Sequence, residues 1–482
     1  MDYASMIAGA KLMQPVNEPG AFLFLGDGHA RQGEGEVAGT GLETSLDVEF
    51  TVDLLKKKNI GWPRLENNTH IMVLGSARPL LEAFQIATAE MQRWLVTDYG
   101  MTERGAQTFL GQAAEYEIAN VVDPSFTVVG KIRKTLLPRR SAAISPSALR
   151  AAAAYLDNRL DWWVHWPNAA RDQDTSCVSC HTALPYALAR PAIHRVLDEP
   201  EPAAPERIML ANVTKRVRLW KEVEPFYPDQ TRGLPKTSES RGTESVLNAL
   251  VLATRDASRS ILSDDAREAF NNMWALQFKA GELKGAWAWL NFHYAPWESD
   301  GSAYFGASIA AIAVGTAPGN YAATPDIQEQ IKLLRDYLQQ RADTEYLFNR
   351  AMVLWASSKL SGLLTPAQRK AIIDAAVAKQ HEDGGWSIAD LGPWKRVDST
   401  PLDTSSDGYA TGLMTLALQS AGVEPADTHV SRALSWLSQH QDPATGMWSA
   451  SSLNKQRDPA TEIGKFMNDA ATAYAILALV EN

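Results

Sequence analysis

Two patterns of apolar and polar positions divide the chain. In the first, glycine clusters alternate with short apolar, β-prone runs: "GAFLFLGDG", "LDVEFTVDLL", "THIMVLG" and "FTVVGKI". Each is bounded by Gly, Asp or Asn, which predicts strands. One helix interrupts them. Leu80, Phe84, Ala87, Met91 and Trp94 recur at three- and four-residue spacing and predict a single apolar stripe. Residues 1–138 therefore read as a β-rich α+β unit. The stretch "LLPRRSAAIS", Leu136 to Ser145, has the proline, basic pair and small polar residues of a boundary, with a linker at 139–145.

From 146 to 482 the pattern is helical. Ser145-Pro146, Thr324-Pro325 and Thr365-Pro366 each place a capping oxygen before a proline at a first helical position. Thr365 with Gln368 also fits a capping box. "SDDAREAF" at Asp264 reads as a helix start, and "SALRAAAAYLDNRL" and "QRKAIIDAAVAKQ" are amphipathic. A unit then repeats. Gln277, Gly285 and Trp287 recur as Gln380, Gly384 and Trp386, and again as Gln441, Gly446 and Trp448. Behind each stands an acid and a small apolar helix, at Asp300, Asp407 and Asp469, with an earlier echo at Glu244. Apart from Trp62 and Trp94, all 15 tryptophans lie beyond residue 140. Helix pairs that cannot bury both faces do so by stacking, and a ring of such pairs is the simplest solution.

Composition changes this picture little. The chain has 482 residues, 45% hydrophobic and 21% charged, as soluble globular proteins do. No apolar run spans a bilayer, so no integral membrane segment is expected. A net charge of -10 disfavours nucleic acid. Two cysteines make no disulfide framework. The N-terminus "MDYASMIAGAKL" has no cationic or hydrophobic leader pattern, which predicts a cytoplasmic protein.

The order Gln, Gly-x-Trp resembles the repeat motif of squalene–hopene cyclases and their relatives. The resemblance covers residues 145–482 and implies an all-α α/α toroid with inner helices around a cavity. The glutamine is expected on exposed groups at helix ends, and the indole on the next helix pair. The class's Asp-x-Asp-Asp signature is absent: Asp398, Asp403 and Asp407 are too spread out. A terpenoid cyclase relative is thus a minor alternative.

Both cysteines fall in "RDQDTSCVSCHTALPYALARP", as Cys177, Cys180 and His181. CxxCH is the spelling of a c-type haem site, with two thioethers on one face of a helical turn and His181 as proximal ligand. Its chance occurrence here is on the order of one in ten thousand. Met209, Met467 and His293 are unranked distal candidates. The competing readings are a zinc half-site completed by His165 or His194, a redox pair, or inert thiols. A haem c-binding, electron-transfer or ligand-binding toroid is the alternative function, and covalent haem would place the chain in the periplasm.

The segment "PGAFLFLGDGHARQGEGEVAGTGLETSLDVEF", with "WPRLENNTHIMVLGSARPLLEAFQIATAEMQRWLVTDYG" and "ANVVDPSFTVVGKIRKTLLP", resembles the acetamidase/formamidase family across residues 2–138. The resemblance implies a hydrolase acting on the carbon–nitrogen bonds of small linear amides. Asp27, His29, Gln32, Glu34 and Glu36 crowd into ten positions among glycines that let the backbone turn tightly. Asp, His and Glu together bind a divalent metal or handle protons, and either activates water against an amide carbonyl. The expected ligands are Asp27, His29 and Glu34, with zinc as the candidate metal. Glu36 is the expected general base and Gln32 the group that orients the substrate amide. His70 is expected to be structural. The match starts in the family's middle, which implies a homo-oligomer or a chain supplying the remaining half.

Overall fold

The computed structural model describes the chain except residues 1–2, 19, 21, 51, 53–58, 68, 100, 138–143, 200–201, 426 and 481–482. It divides into two compact units, Met1–Ser141 and Ala142–Asn482. Residues 139–143 of the predicted linker lie outside the described residues.

In the first unit, β1 (Lys11–Met13), β4 (Arg64–Glu66), β5 (His70–Ala77), β7 (Phe126–Arg133) and β6 (Glu115–Asn120) form an antiparallel sheet in that order. A separate hairpin pairs β2 (His29–Arg31) with β3 (Leu42–Glu43). The period-2 alternation of β5 decides the two faces of the sheet. Ile71 and Val73 pack with Met91, Trp94 and Leu95, whereas Met72 and Leu74 pack with Tyr3, Leu65 and Val129. Helix α1 (Leu80–Tyr99) lies on β5 and β7, and α2 (Glu103–Ala113) packs on α1. Gly75 makes this approach possible: a Cβ there would stand 2.3 Å from the Ala83 carbonyl.

"THIMVLG" and "FTVVGKI" are strands as expected. The other two runs are not, among their described residues. Phe22–Leu25 and Leu46–Phe50 carry no strand pairing and stay exposed. A strand needs a neighbour to satisfy its backbone, and none pairs with them among the described residues. The stripe on α1 is also rotated. Ala83, Ala87, Met91, Trp94 and Leu95 are buried, while Phe84 is exposed.

The second unit is mostly helical. Its helices are α3 (Pro146–His165), α4 (Ala183–Leu197), α5 (Ala204–Arg218), α6 (Asp229–Arg232), α7 (Lys236–Ala257), α8 (Asp264–Ala275), α9 (Ser302–Thr316), α10 (Gln328–Arg341), α11 (Leu347–Lys359), α12 (Pro366–Ala378), α13 (Gly408–Ser420), α14 (Thr428–Gln439) and α15 (Phe466–Val480). A short ribbon, β8 (Ala170–Arg171) with β9 (Thr175–Ser176), precedes α4. Helices α4, α7, α9, α11, α13 and α15 pack successively, and α15 packs on α4. Of these, α9, α13 and α15 are buried nearly all round, as their uniformly apolar sequences require.

Helix starts follow the sequence with one exception. Ser145 caps α3, Ser263 caps α8, and Thr365 with Gln368 makes the capping box of α12. Thr324-Pro325 instead opens a 3₁₀ turn, Pro325–Ile327, and α10 starts after it.

The Gln–Gly–Trp repeat has one geometry in all three copies. Gln277 Nε2 donates to the Gly285 and Gln330 carbonyls, both at 3.0 Å. Gln380 does so to Gly384 and His429, and Gln441 to Gly446 and Ala148. Each amide thus ties its own loop to the next outer helix, and the last one reaches back to α3. The indoles behave differently from expectation. Trp287, Trp386 and Trp448 donate Nε1–H to Met273, Ala376 and Leu437, carbonyls on the helix preceding each loop. An indole N–H buried at the end of a helix finds the free carbonyls of that helix first. The glycines stand at φ +96, +95 and +79, and a Cβ on Gly285 would lie 2.1 Å from the Leu333 carbonyl.

Candidate functional site

The hairpin β2–β3 assembles the N-terminal constellation. Antiparallel pairing places Glu43 directly opposite His29. His29 Nε2 lies 3.1 Å from Glu43 Oε1 and 3.5 Å from Asp27 Oδ1. Its Nδ1 is 3.0 Å from Gln32 Oε1, which fixes the ring. Asp27, His29 and Glu43 offer ligand atoms all within 4.8 Å of one another, the one such group among the described residues. The hydrogen bond to Gln32 raises the His29 pKa, helped by the nearby carboxylates of Glu43, Asp27 and Glu36.

Local backbone explains the tightness. Asp27 adopts φ +61, a left-handed conformation uncommon for a non-glycine residue. Gly41 leaves room for the imidazole: a Cβ there would stand 2.6 Å from the His29 ring. Thr40 Oγ1 donates to Glu43 Oε1 at 2.8 Å.

The expected residues do not all converge. Asp27, His29 and Gln32 are together. Glu34 is outside the ligand-distance group, and Glu43 stands in its place. The reason is the 3₁₀ turn Glu34–Glu36, which turns the chain toward β6. Glu34 contributes there to the field that raises the Tyr3 hydroxyl pKa, after burial and Glu117. Glu36, at φ +46, is buried and accepts from Asn120 Nδ2 at 2.8 Å, while still within electrostatic reach of His29. Gln32 Nε2 is buried without a protein partner. Sequence proximity alone could not single out Glu43; the signal was the polar turn at Gly39–Gly41 between two short runs. His70 opens β5 and bonds Thr69 Oγ1 at 2.8 Å, with its pKa lowered by burial.

In the helical unit, Cys177 follows β9 directly and Cys180 lies in the turn entering α4, so the pair does not share a helical turn. Burial pushes the Cys177 thiol up to about 12 and Cys180 well above its usual value. His181 bonds Thr182 Oγ1 through Nδ1 at 2.8 Å. Its ring stacks on Phe466 at 3.8 Å and meets Trp163 edge-on at 4.9 Å. Burial lowers its pKa to about 3. Glu298, which sequence reading missed, lies within electrostatic reach of both thiols, and burial raises its pKa to about 7. Among the distal candidates, Met209 is buried on α5, Met467 follows Phe466 on α15, and His293 is exposed beside Asp300. His165 is exposed against Asp161, and His194 is held by Glu199 and Glu206; among the described residues no ligand-distance group of three includes a cysteine.

Residues 1–123 match the model of the acetamidase/formamidase family. An acetamidase from Yersinia enterocolitica shares 40% identity over 29% of this chain and 42% of that one, with TM-score 0.27. A predicted acetamidase/formamidase from Thermoanaerobacter tengcongensis shares 23% over 22% and 36%, with TM-score 0.20. The chain therefore spans under half the length of either. A polysaccharide lyase aligns at 12% identity over 70% of this chain and 97% of its own, with TM-score 0.39. No curated protein matches the chain. Among the described residues, no helix is long and apolar enough to cross a membrane.

Proposed function

We propose that the N-terminal unit is an amidohydrolase module that cleaves the C–N bond of small linear amides such as formamide and acetamide, releasing ammonia and a carboxylic acid. The observation that carries this reading is the family match over residues 1–123, which encloses the Asp27–His29–Gln32 constellation. Gln32 Nε2 is a buried donor free to bond the substrate carbonyl. Glu36, held by Asn120, is the general base that takes the water proton. The imidazole and carboxylate donors suit a divalent ion such as zinc. When bound, that ion supplies an acidified water and polarises the carbonyl.

The partner we propose is a second copy or a chain carrying the rest of an acetamidase-like fold. Exposed Phe22, Leu23, Phe24 and Leu25, with Leu46, Val48 and Phe50, support it as apolar surface without cover. Ammonia release from formamide or acetamide by the full chain, loaded with zinc or manganese, tests the function. His29→Ala is expected to abolish release, and no release from the loaded parent chain sinks the reading.

A second reading concerns the helical unit: an α/α toroid carrying haem c on Cys177 and Cys180, with His181 as proximal ligand. The successive packing of six helices, with α15 on α4, supports the toroid. His181 directs Nδ1 to Thr182 and sits amid aromatic rings, which suits an axial ligand. That reading goes with a periplasmic location, and the amidase reading alone with the cytoplasm. A haem absorbance that survives acid–acetone extraction supports it; a colourless chain from a haem-attaching host overturns it.

A further inference from the structure

We infer that Ser406, His381 and Asp390 form a reaction site in the helical unit: a nucleophile, a base and an orienting acid that transfer the acyl group of small carboxylic esters to water. The site uses no residue of the N-terminal unit and neither cysteine.

Three loops share one backbone, and only one carries these side chains. In each copy of the repeat, the residue after the glutamine donates its N–H to the carbonyl of the residue before the tryptophan: Phe278 to Ala286, His381 to Gly385 and Asp442 to Met447, each at 2.9 Å. The same three residues accept from Gly285, Gly384 and Gly446. The loop thus forms without an imidazole, and the fold does not demand one. In the middle copy His381 Nε2 lies 2.9 Å from Asp390 Oδ2, and Nδ1 lies 3.0 Å from Ser406 Oγ. A carboxylate only accepts, so Nε2 carries the proton and the neutral ring turns its Nδ1 lone pair to the hydroxyl. Hydroxyl, imidazole and carboxylate stand in the order of an acyl-transfer triad, with the two ring nitrogens exchanged.

The surroundings hold this order. A Cβ on Gly385 would stand 2.6 Å from Ser406 Cβ and 2.8 Å from its Oγ, whereas the other copies carry Ala286 and Met447 at that position. Arg432 Nη2 donates to the His381 carbonyl at 3.0 Å. Ser406 Oγ also donates to Asp383 Oδ1 at 2.8 Å. Against the pull of burial, bonds from Gly385, Ser406 and Trp436 hold the Asp383 carboxyl below its usual range, so it takes no proton from the serine. Asp383 is a positioning residue that keeps Oγ beside Nδ1. The His381 and Asp390 side chains are each 31% exposed, within reach of a small acyl donor. Ser406 Oγ bonds the acyl carbon as its proton passes to His381 Nδ1. The ester C–O bond breaks, and the alcohol leaves with that proton. Water repeats the attack through the same imidazole, releasing the acid and restoring the hydroxyl.

The probes are p-nitrophenyl acetate and a fluorophosphonate, each given to the full chain, with peptide mass spectrometry to place the phosphonyl adduct. A nitrophenolate burst approaching one per chain and an adduct on Ser406 are expected. Ser406→Ala should remove both, and His381→Gln should slow both by about a hundredfold or more. Asp390→Asn and Asp383→Asn should lower kcat by about tenfold or more with KM held, a split that a merely loosened loop would not give. Ser405→Ala, one residue away, should leave both readouts as they are. No adduct on Ser406 in the folded parent chain overturns the inference. So does labelling that His381→Gln leaves equally fast, or ester cleavage undiminished in Ser406→Ala.

Discussion

In the helical unit Trp287, Trp386 and Trp448 are all but sealed from solvent, whereas in the N-terminal unit Phe22 and Phe24 stay 86% and 85% exposed. The difference follows from where each element finds its partners. A helix satisfies its backbone internally, so only its side chains need a neighbour, and repetition supplies one. The glutamine bridges repeat that solution three times, the last across 293 residues of sequence. Charged groups join in: Arg159 makes a bidentate pair with Asp469, which also accepts from Thr182 and Tyr155, tying α3 and α4 to α15. A strand must instead borrow its hydrogen bonds from another strand. Where the borrowed partner is present, as at β5 and β7, the N-terminal unit is well buried. At Phe22–Leu25 no strand pairs among the described residues, and the apolar residues face water.

Three perturbations press on this contrast. The largest is Gly285→Val. The new side chain meets the Leu333 carbonyl in a backbone conformation that L-residues rarely adopt, so the helical unit should lose about 3 kcal/mol. Calorimetry should show its transition fall while that of the N-terminal unit holds. A common shift of both would mean the units do not stabilise themselves separately.

Next is Glu298→Gln. Burial raises the Glu298 pKa from 4.5 to about 7, so the protonated acid favours the folded chain below about 4.5. That contribution is lost as pH rises through 7. Asp407, raised to about 7 by burial, acts in the same sense. His181, lowered to about 3, acts oppositely: its buried neutral ring opposes folding most at low pH, and stability is regained as pH rises toward 6.5. Removing the Glu298 charge should therefore stabilise the helical unit at pH 8 by roughly 1–2 kcal/mol, with no gain at pH 4. Urea unfolding at the two pH values checks it; an equal change at both would refute the assignment.

The smallest effect belongs to Phe24→Ser. An exposed residue should change stability by less than about 0.5 kcal/mol, yet self-association measured by sedimentation should drop if the uncovered patch meets a second copy. Strong destabilisation would show that Phe24 is part of a core after all.

Much of the helical architecture was legible. Periodicity and caps placed α3, α8 and α12, and the Gln–Gly–Trp spacing marked three equivalent loops whose geometry is the same. These are local properties, set by residues within a turn or two of each other. The constellation at Asp27, His29 and Gln32 was legible for the same reason: the residues are neighbours in sequence. What the chain order hid was the second carboxylate of the group. Glu34 is nearer to His29 in sequence, but a 3₁₀ turn carries it away and strand register brings Glu43 across. Glu298 was likewise invisible, since its nearness to the thiols depends on which helices pack together. Sequence by itself determined the helices, their caps, the repeat and two members of the Asp27–His29–Glu43 group. Tertiary structure alone decided which apolar runs found a strand partner and which acid faces His29, because pairing across a gap depends on register and not on spacing along the chain.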